Sequence, residues 1–289
     1  MAIWLASVFI KETSTGSDNI PFDTKGFVLM ATALSALLVA FELIGKSIAP
    51  TWSIALLAGV GFVSLWQYLK HSQSLDEPIL DFRIFRFQTF RTNVLGGIPL
   101  RIGIGASPFL LPLMLQVGFG LSPIESGILT VATAVGALCT RAVMTLAIKA
   151  LGFRTLLICA TLITCVLYVS YSFFTPSTNH ILIFITLMAG GLFNSMCMVT
   201  LGTLGFSEIT KEKMGNATTL ATMVQQLTVS FGVALGGTLL TAVSFWNGGA
   251  GEILNANYFA PVFVTVGVLA SLSLVSFLKL HHDEGSAMR

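Results

Sequence analysis

Eight long apolar stretches dominate this sequence, and short polar connectors separate them. Each stretch is close to the ~20 residues that a helix needs to cross the ~30 Å hydrocarbon core of a bilayer. The pattern therefore predicts an all-α, polytopic membrane helical bundle, and the short connectors predict antiparallel neighbours. The stretches are residues 27–45, 51–69, 93–117, 124–148, 153–174, 180–206, 217–245 and 258–278.

The basic residues fall on alternate sides of these stretches. If the first stretch leaves the cytoplasm, 12 of the 15 Lys and Arg residues lie in cytoplasmic segments, while Lys46 lies outside and Arg101 and Arg141 lie within spans. Because cations mark the cytoplasmic side of a membrane protein, this distribution predicts the orientation. We expect a multi-pass protein of the plasma (inner) membrane, surrounded by lipid, with a cytoplasmic C-terminus.

The composition agrees with a membrane protein and argues against other classes. Hydrophobic residues make up 54% of the chain and charged residues only 10%, and the net charge of +2 comes from short loops, so no nucleic-acid-binding face is expected. The sequence contains no zinc-protease motif, no His/Asp pair within a span and no phosphate-binding loop, so we expect neither an enzyme nor a cofactor. The spacing of the four cysteines fits neither a metal site nor a disulfide framework.

Two segments outside the apolar stretches have their own character. Residues 1–10 are apolar but too short to span, and they are interpreted as the end of a helix whose beginning precedes them. Residues 70–91 alternate apolar or aromatic side chains with arginines. This alternation suits the membrane interface, with the rings buried and the arginine heads toward lipid phosphate, and we interpret the segment as a cytoplasmic interfacial loop.

The third stretch carries the most unusual side chains. A helix places Arg101, Gly105, Pro108, Pro112 and Gln116 on one face, because the steps between them are three or four residues. A proline inside a spanning helix leaves a carbonyl unpaired, which suits a helix that bends or lines a cavity. Gly105, Pro108 and Pro112 are therefore the predicted bending positions.

Polar side chains within the other spans are few. Arg141 lies at a depth similar to that of Arg101, and both arginines either extend to the cytoplasmic surface or form a basic cavity lining or an ion pair. Asn194, Gln225 and Gln226 are the remaining polar candidates. Adjacent glutamines cannot face the same way, so either one lines a cavity and the other bonds a neighbouring helix, or the pair is purely structural. No Asp or Glu lies mid-membrane, so the sequence shows no proton-coupling site.

Five segments resemble, in order, the fourteen-helix drug:proton antiporters of the major facilitator superfamily, the EmrB/QacA type. Three of them resemble the entry to the seventh helix, the loop before the ninth, and the ninth span with the loop that follows it. The other two resemble a degenerate copy of the loop motif between paired helices, and the thirteenth helix. The segments are PFDTKGF (Pro21–Phe27), EPILDFRIFRFQTFRTN (Glu77–Asn93), RIGIGASPFLLPLMLQVGFGLSPIESG (Arg101–Gly127), LAIKALGFRTLLI (Leu146–Ile158) and MVQQLTVSFGVALGG (Met223–Gly237).

The resemblance implies a domain organisation. It makes the chain the C-terminal half of such a transporter plus the two extra central helices, with the N-terminal six-helix bundle and its membrane carboxylates missing as a partner half. The implied segments are 1–26 (end of a preceding helix and cytoplasmic connector), 27–69 (two linker helices), 70–91 (interfacial loop), 92–280 (six-helix transporter bundle) and 281–289 (cytoplasmic tail).

The resemblance also implies a function and roles. The expected function is proton-coupled efflux of drug-like or lipophilic compounds, by two bundles that rock about a midplane site. Arg101, Gln116, Arg141, Asn194 and Gln225 are candidates to line the substrate path. By analogy with the loop motif, Lys149, Arg154 and Glu208 are candidates for a cytoplasmic gate cluster. The alternative is a non-transporting remnant or half-transporter that acts as a structural or interaction membrane protein.

Overall fold

The computed structural model describes residues 23–46, 49–75, 79–247 and 255–280, and these ranges are helical apart from short connectors. The predicted helix end at 1–10 and the tail at 281–289 lie outside the described residues. The helices are α1 (Thr24–Lys46), α2 (Thr51–Gln73), α3 (Gln88–Gly118), α4 (Pro123–Tyr171), α5 (His180–Gly205), α6 (Met214–Trp246), α7 (Phe259–Ser271) and α8 (Ser273–Leu278).

Helix α4 accounts for two of the predicted crossings. Its 49 residues would extend roughly 74 Å as one straight helix, more than twice a hydrocarbon core. The chain reverses at Gly152, whose φ of 74° and ψ of 164° belong to a region that is nearly exclusive to glycine. The limbs 123–151 and 153–171 both pack on α5, through Thr140 to the Leu192 carbonyl (3.2 Å) and Tyr168 to Asn194 (3.2 Å). With this hairpin counted as two, the seven span-length helical segments of the described residues give the eight predicted crossings.

Helix α3 is irregular at both ends. Its regular part is Ile98–Leu113, which contains Pro108 and Pro112, and wider π-helical turns flank it at Thr92–Gly96 and Met114–Gly118. Pro99 near the start of the regular part has no N–H to donate, and the two interior prolines have none either. The backbone of α3 therefore contains several carbonyls that need partners other than the usual helical N–H.

Glycines allow close backbone contact at two helix pairs of the bundle. A Cβ added at Gly105 of α3 would collide with the Val229 carbonyl of α6, and one at Gly232 of α6 would collide with the Ile102 carbonyl of α3. The first limb of α4 and helix α5 make the same kind of contact. A Cβ added at Gly136 would collide with the Met188 carbonyl, and one at Gly191 would collide with the Thr133 carbonyl. Small residues allow backbones to approach inside a membrane, where association depends on packing.

The first two helices form a hairpin that docks on α6. Phe41 of α1 meets Phe231 of α6 edge to face, with ring centroids 5.3 Å apart. Asp23, directly before α1, accepts a hydrogen bond from the Gly26 N–H (2.8 Å) and lies 2.9 Å from the His71 ring in the last turn of α2. Burial raises the pKa of the Asp23 carboxyl, but the contacts with His71 and Gly26 outweigh burial and hold that pKa below its ordinary value. This contact closes the hairpin.

A second, smaller hydrophobic core joins this hairpin to the bundle. Leu80, Ile84 and Phe90 are buried between α2, α6 and the connector after α5, while Arg83 and Arg86 remain exposed. The sequence predicted that the apolar side chains of this segment enter the membrane interface. The structure differs for the buried ones, because they pack on protein where the hairpin docks.

The basic connectors meet at one end of the bundle, which we call the basic end. Thr89 donates its hydroxyl to the Glu208 carboxylate (2.7 Å), and Gln88 donates its amide to the Lys279 carbonyl (3.3 Å). Arg154 donates to the Leu278 carbonyl (2.9 Å). Connectors that the charge pattern assigns to the same side of the membrane are therefore in contact.

Candidate functional site

A cavity of about 610 Å³ lies between α3, the first limb of α4, α5 and α6, and Tyr171 reaches it from the second limb. This volume falls in the ~300–1,000 Å³ range of small-molecule pockets. The lining residues come from the middle parts of α3, α5 and α6, so the cavity lies well inside the apolar part of the bundle.

The walls of the cavity are apolar, with scattered hydrogen-bonding groups and no charged side chain among the described lining residues. Ile104, Leu111, Met198 and Val229 supply much of the apolar surface. Such walls hold a molecule by shape and hydrogen bonds, since they contain no ionised group to balance a charge. The polar lining side chains are Ser107, Thr130, Thr133, Tyr171, Asn194, Ser195 and Gln225.

Four residues singled out from the sequence line this cavity. Asn194 stands on α5 and accepts a hydrogen bond from the Tyr168 hydroxyl at 3.2 Å, which fixes the amide at the wall. Gln225 lines the cavity from α6, while its neighbour Gln226 does not. Pro108 and Pro112 form part of the α3 wall. The prolines remove donors and present a smooth apolar surface where α3 faces the cavity.

Arg101 lies away from the cavity lining and folds back toward the basic end. Its guanidinium donates to the Asn93 carbonyl and the Asn93 side-chain oxygen, both at 2.6 Å, and to the Val94 carbonyl at 3.4 Å. The side chain is 3% exposed, and its Nε has no partner in the described part of the chain. The arginine therefore supplies donors to carbonyls around the π-helical turn Thr92–Gly96.

The other residues of the predicted α3 face also separate. Gly105 lies in the α3–α6 contact, and Gln116 donates to the Ser126 hydroxyl of α4 at 3.3 Å. Arg141 is exposed on the first limb of α4. Arg101, Gly105, Pro108 and Pro112 all lie in the regular part of α3, so they share a helix face but meet different neighbours at different heights along it. Gln116 lies in the π-helical turn Met114–Gly118, where the angular step between residues changes.

The three gate candidates occupy separate contacts at the basic end. Arg154 binds the Leu278 carbonyl and Glu208 binds Thr89, while Lys149 is exposed. Among the described residues, none of the three forms an ion pair with another. The expected cluster is therefore absent from this arrangement, in which each contact holds a different helix end.

The hydroxyl groups of the cavity are not among the residues singled out from the sequence. Thr130 and Thr133, like Gly190 and Asn194, follow a step of three or four residues that places polar or small side chains on one helix face. That periodicity was available in the sequence. Tyr171 was harder to find because it lies at the last residue of α4 and reaches the cavity only through the hairpin at Gly152.

The described residues show no group of three His, Cys, Asp or Glu side chains placed to hold a metal ion. What the fold and cavity define is a polytopic helical membrane protein with a small-molecule cavity between its inner helices, which is the class to which membrane transporters belong.

Comparison with known proteins identifies the family. Residues 94–287 match the Major Facilitator Superfamily, and because this match covers about two thirds of the chain, the chain belongs to that superfamily of transporters. Relatives named MdtD, a name that refers to multidrug resistance, align with most of the chain. The MdtD of Klebsiella pneumoniae is 26% identical over 266 residues, which are 92% of this chain and 56% of that protein.

Two further MdtD relatives give the same result. The MdtD of an Enterobacter species is 26% identical and that of Salmonella heidelberg is 25% identical, each over 262 residues. Each alignment covers 91% of this chain and 56% of the relative. The chain thus spans little more than half the length of the curated relatives that it matches.

Proposed function

We propose that this chain supplies one wall of the substrate site of a transporter that exports small lipophilic compounds across the plasma (inner) membrane. The observation that carries the proposal is the cavity of about 610 Å³ with prolines, amides and hydroxyls on its walls. Transporters of this kind bind substrate near the bilayer midplane, between helices that interrupt their regular hydrogen bonding. Pro108, Pro112 and the nearby π-helical turn give α3 this character.

The roles follow from the positions of the side chains. Asn194 and Gln225 contact substrate from α5 and α6, and Pro108 and Pro112 allow α3 to bend during the transport cycle. Arg101 stabilises the start of α3 instead of contacting substrate, because its terminal guanidinium nitrogens donate to Asn93 and Val94. Arg154 and Glu208 each hold two segments together at the basic end, Arg154 through the Leu278 carbonyl and Glu208 through Thr89. We orient the basic end toward the cytoplasm because most Lys and Arg residues lie there.

Proton coupling is the part of the proposal that depends on resemblance. The described lining residues include no Asp or Glu, so the carboxylate that exchanges protons would come from elsewhere, such as a six-helix N-terminal half. The MdtD relatives are named for multidrug resistance, which supports drug-like compounds as the substrates and says nothing about the coupling ion.

The test is accumulation of Nile red, an uncharged lipophilic dye, in cells that lack their own efflux pumps. One strain expresses this chain, a second expresses the chain joined behind the six-helix N-terminal bundle of an MdtD relative, and a third expresses the joined protein with Asn194→Ala and Gln225→Ala. We expect cells with the joined protein to accumulate several-fold less dye than cells with this chain alone. Cells with the double variant should accumulate nearly as much dye as cells with this chain alone. Equal accumulation in all strains, at equal amounts of membrane-inserted protein, would favour a non-transporting interaction protein.

A further inference from the structure

Tyr171 is held rigidly at the edge of the cavity. Its ring lies between three other rings, with centroids 6.0 Å from Tyr168, 5.7 Å from Phe174 and 5.6 Å from Phe263. The residue is only 2% exposed although it lines the cavity. The position of its hydroxyl is therefore fixed by packing before any ligand arrives, which limits the entropy cost of a bond to that hydroxyl.

The absence of a side chain at Gly190 creates the space for this hydroxyl. A Cβ added at Gly190 of α5 would collide with the Tyr171 oxygen. Gly190 also lines the cavity, so the phenol oxygen and the bare α5 backbone lie together at its wall.

The Tyr171 hydroxyl has no partner among the hydrogen bonds of the described residues, which distinguishes it from the other buried tyrosines. The Tyr168 hydroxyl donates to Asn194 at 3.2 Å, and the Tyr68 hydroxyl bonds both the N–H (2.9 Å) and the carbonyl of Leu80. A phenol is a hydrogen-bond donor, and this oxygen opens onto the cavity instead of being sealed in the packed core. A ligand that displaces water from the cavity can therefore accept its hydrogen bond.

We propose that the Tyr171 hydroxyl determines substrate specificity by donating a hydrogen bond to an acceptor oxygen of an uncharged substrate. The ligand class is an apolar molecule that carries a ketone, amide, ester or ether oxygen. The described lining residues contain no charged side chain to compensate an ion, which favours an uncharged molecule. This inference rests on the proposed function, since it names the substrate class of the same cavity.

The test uses two ligands that differ in one group. Benzophenone has a carbonyl between two phenyl rings, and diphenylmethane has a methylene there. The purified chain in lipid nanodiscs is irradiated with increasing benzophenone, labelled peptides are located by mass spectrometry, and diphenylmethane is added as a competitor. Because the lipid is the same throughout, partitioning of the ligands into the bilayer cancels between variants.

We expect wild-type protein to be labelled on cavity peptides and to bind benzophenone more tightly than diphenylmethane. Tyr171→Phe keeps the ring and removes the hydroxyl. It should raise the half-saturating benzophenone concentration about 3- to 10-fold, which corresponds to the usual free-energy contribution of one neutral hydrogen bond. It should leave competition by diphenylmethane unchanged. Gly190→Ala, which displaces the hydroxyl, should weaken benzophenone in the same way. Tyr68→Phe removes a buried hydroxyl far along the chain and should change neither ligand.

The opposite outcomes separate the two proposals. Cavity labelling that is the same in wild type and Tyr171→Phe, or an equal loss for both ligands, would overturn the role of the hydroxyl and leave the cavity as a binding site. Labelling that avoids the cavity peptides altogether would overturn the substrate site itself. The wild-type preference for benzophenone needs no variant once each ligand's concentration is expressed as its amount in the lipid, so equal affinity for the two ligands then contradicts the inference even if Tyr171→Phe fails to fold.

Discussion

Arg101 shows how a single side chain can acquire a structural role in a membrane. An arginine at this depth is costly unless its donors are engaged, and the sequence contains no acid nearby to pair with it. The fold instead offers the Asn93 side-chain oxygen and two backbone carbonyls at the turn Thr92–Gly96. The guanidinium is planar and has five donors, so one arginine satisfies several acceptors at once.

The residue-scale prediction is that Arg101→Ala destabilises the protein. Loss of hydrogen bonds from a charged donor should lower the free energy of unfolding by about 1.5–3 kcal/mol, measured by chemical unfolding in detergent. Arg101→Lys should recover only part of this loss, because an ammonium cannot bond Asn93 with two planar donors. Arg141→Ala, at an exposed position, should stay within about 0.5 kcal/mol of wild type. A similar small change for Arg101→Ala would contradict the structural role.

At the scale of elements, α4 and α3 show two ways to depart from a regular helix. Helix α4 reverses at Gly152 and both of its limbs pack on α5, so one turn residue sets the relation of the two limbs to that helix. Helix α3 keeps its direction and changes its pitch, through two π-helical turns and interior prolines. The reversal at Gly152 fixes the position of Tyr171, and the irregular backbone of α3 fixes the cavity wall at Pro108 and Pro112.

The element-scale prediction concerns the reversal. Gly152→Ala places a Cβ at a positive φ and an extended ψ, a conformation that costs about 1–3 kcal/mol for other residues. Gly202→Ala is the matched control, because it lies inside α5 with open space around its Cβ, where alanine should stabilise the helix by about 0.5–1 kcal/mol. Thermal unfolding in detergent should therefore move in opposite directions for the two variants. Equal shifts would mean that the reversal tolerates a side chain.

At the scale of the whole molecule, two cores hold the helices together. The larger core joins the helices α3, α4, α5, α6, α7 and α8 with one another. The smaller core joins the α1–α2 hairpin and residues 79–91 to the basic end. Phe90 is central to the smaller core, since it is fully buried and its ring lies 5.4 Å from that of Phe85 and 6.2 Å from that of Phe206. The segment 79–91 thus connects the hairpin and the bundle through packed side chains.

The prediction at this scale is that Phe90→Ala loosens the hairpin. Removal of a fully buried phenylalanine from a packed core typically costs about 3–5 kcal/mol. Phe173→Ala, which removes a ring that is 77% exposed, should cost less than about 0.5 kcal/mol. Hydrogen exchange in nanodiscs locates the effect, because Phe90→Ala should increase exchange at the ends of α1 and α2 near the basic end. An increase confined to α7 would contradict the assignment of Phe90 to the hairpin contact.

The amount that the sequence predicts decreases from the fold to the site. The thickness of the bilayer fixes the length of each apolar span, and the membrane orientation fixes where the cations lie. The eight crossings could therefore be predicted, including the two that form the limbs of α4 on either side of Gly152. Asn194 and Gln225 could be found because isolated amides in apolar helices face other helices or cavities. The sequence offered the cytoplasmic direction of Arg101 as one alternative, but its partners could not be predicted, because they depend on which carbonyls the turn Thr92–Gly96 leaves unpaired.

The contact between α1 and α6 also sets an order of assembly in time. Phe41 and Phe231 lie 190 positions apart in the sequence, and a ribosome adds about 5–20 residues per second, so roughly 10–40 s separate the synthesis of the two rings. During that interval lipid chains cover the face of α1 that later packs on α6, and lipid chains are as apolar as that helix. The hairpin can therefore enter the bilayer early and join the bundle late, by lateral diffusion within the membrane.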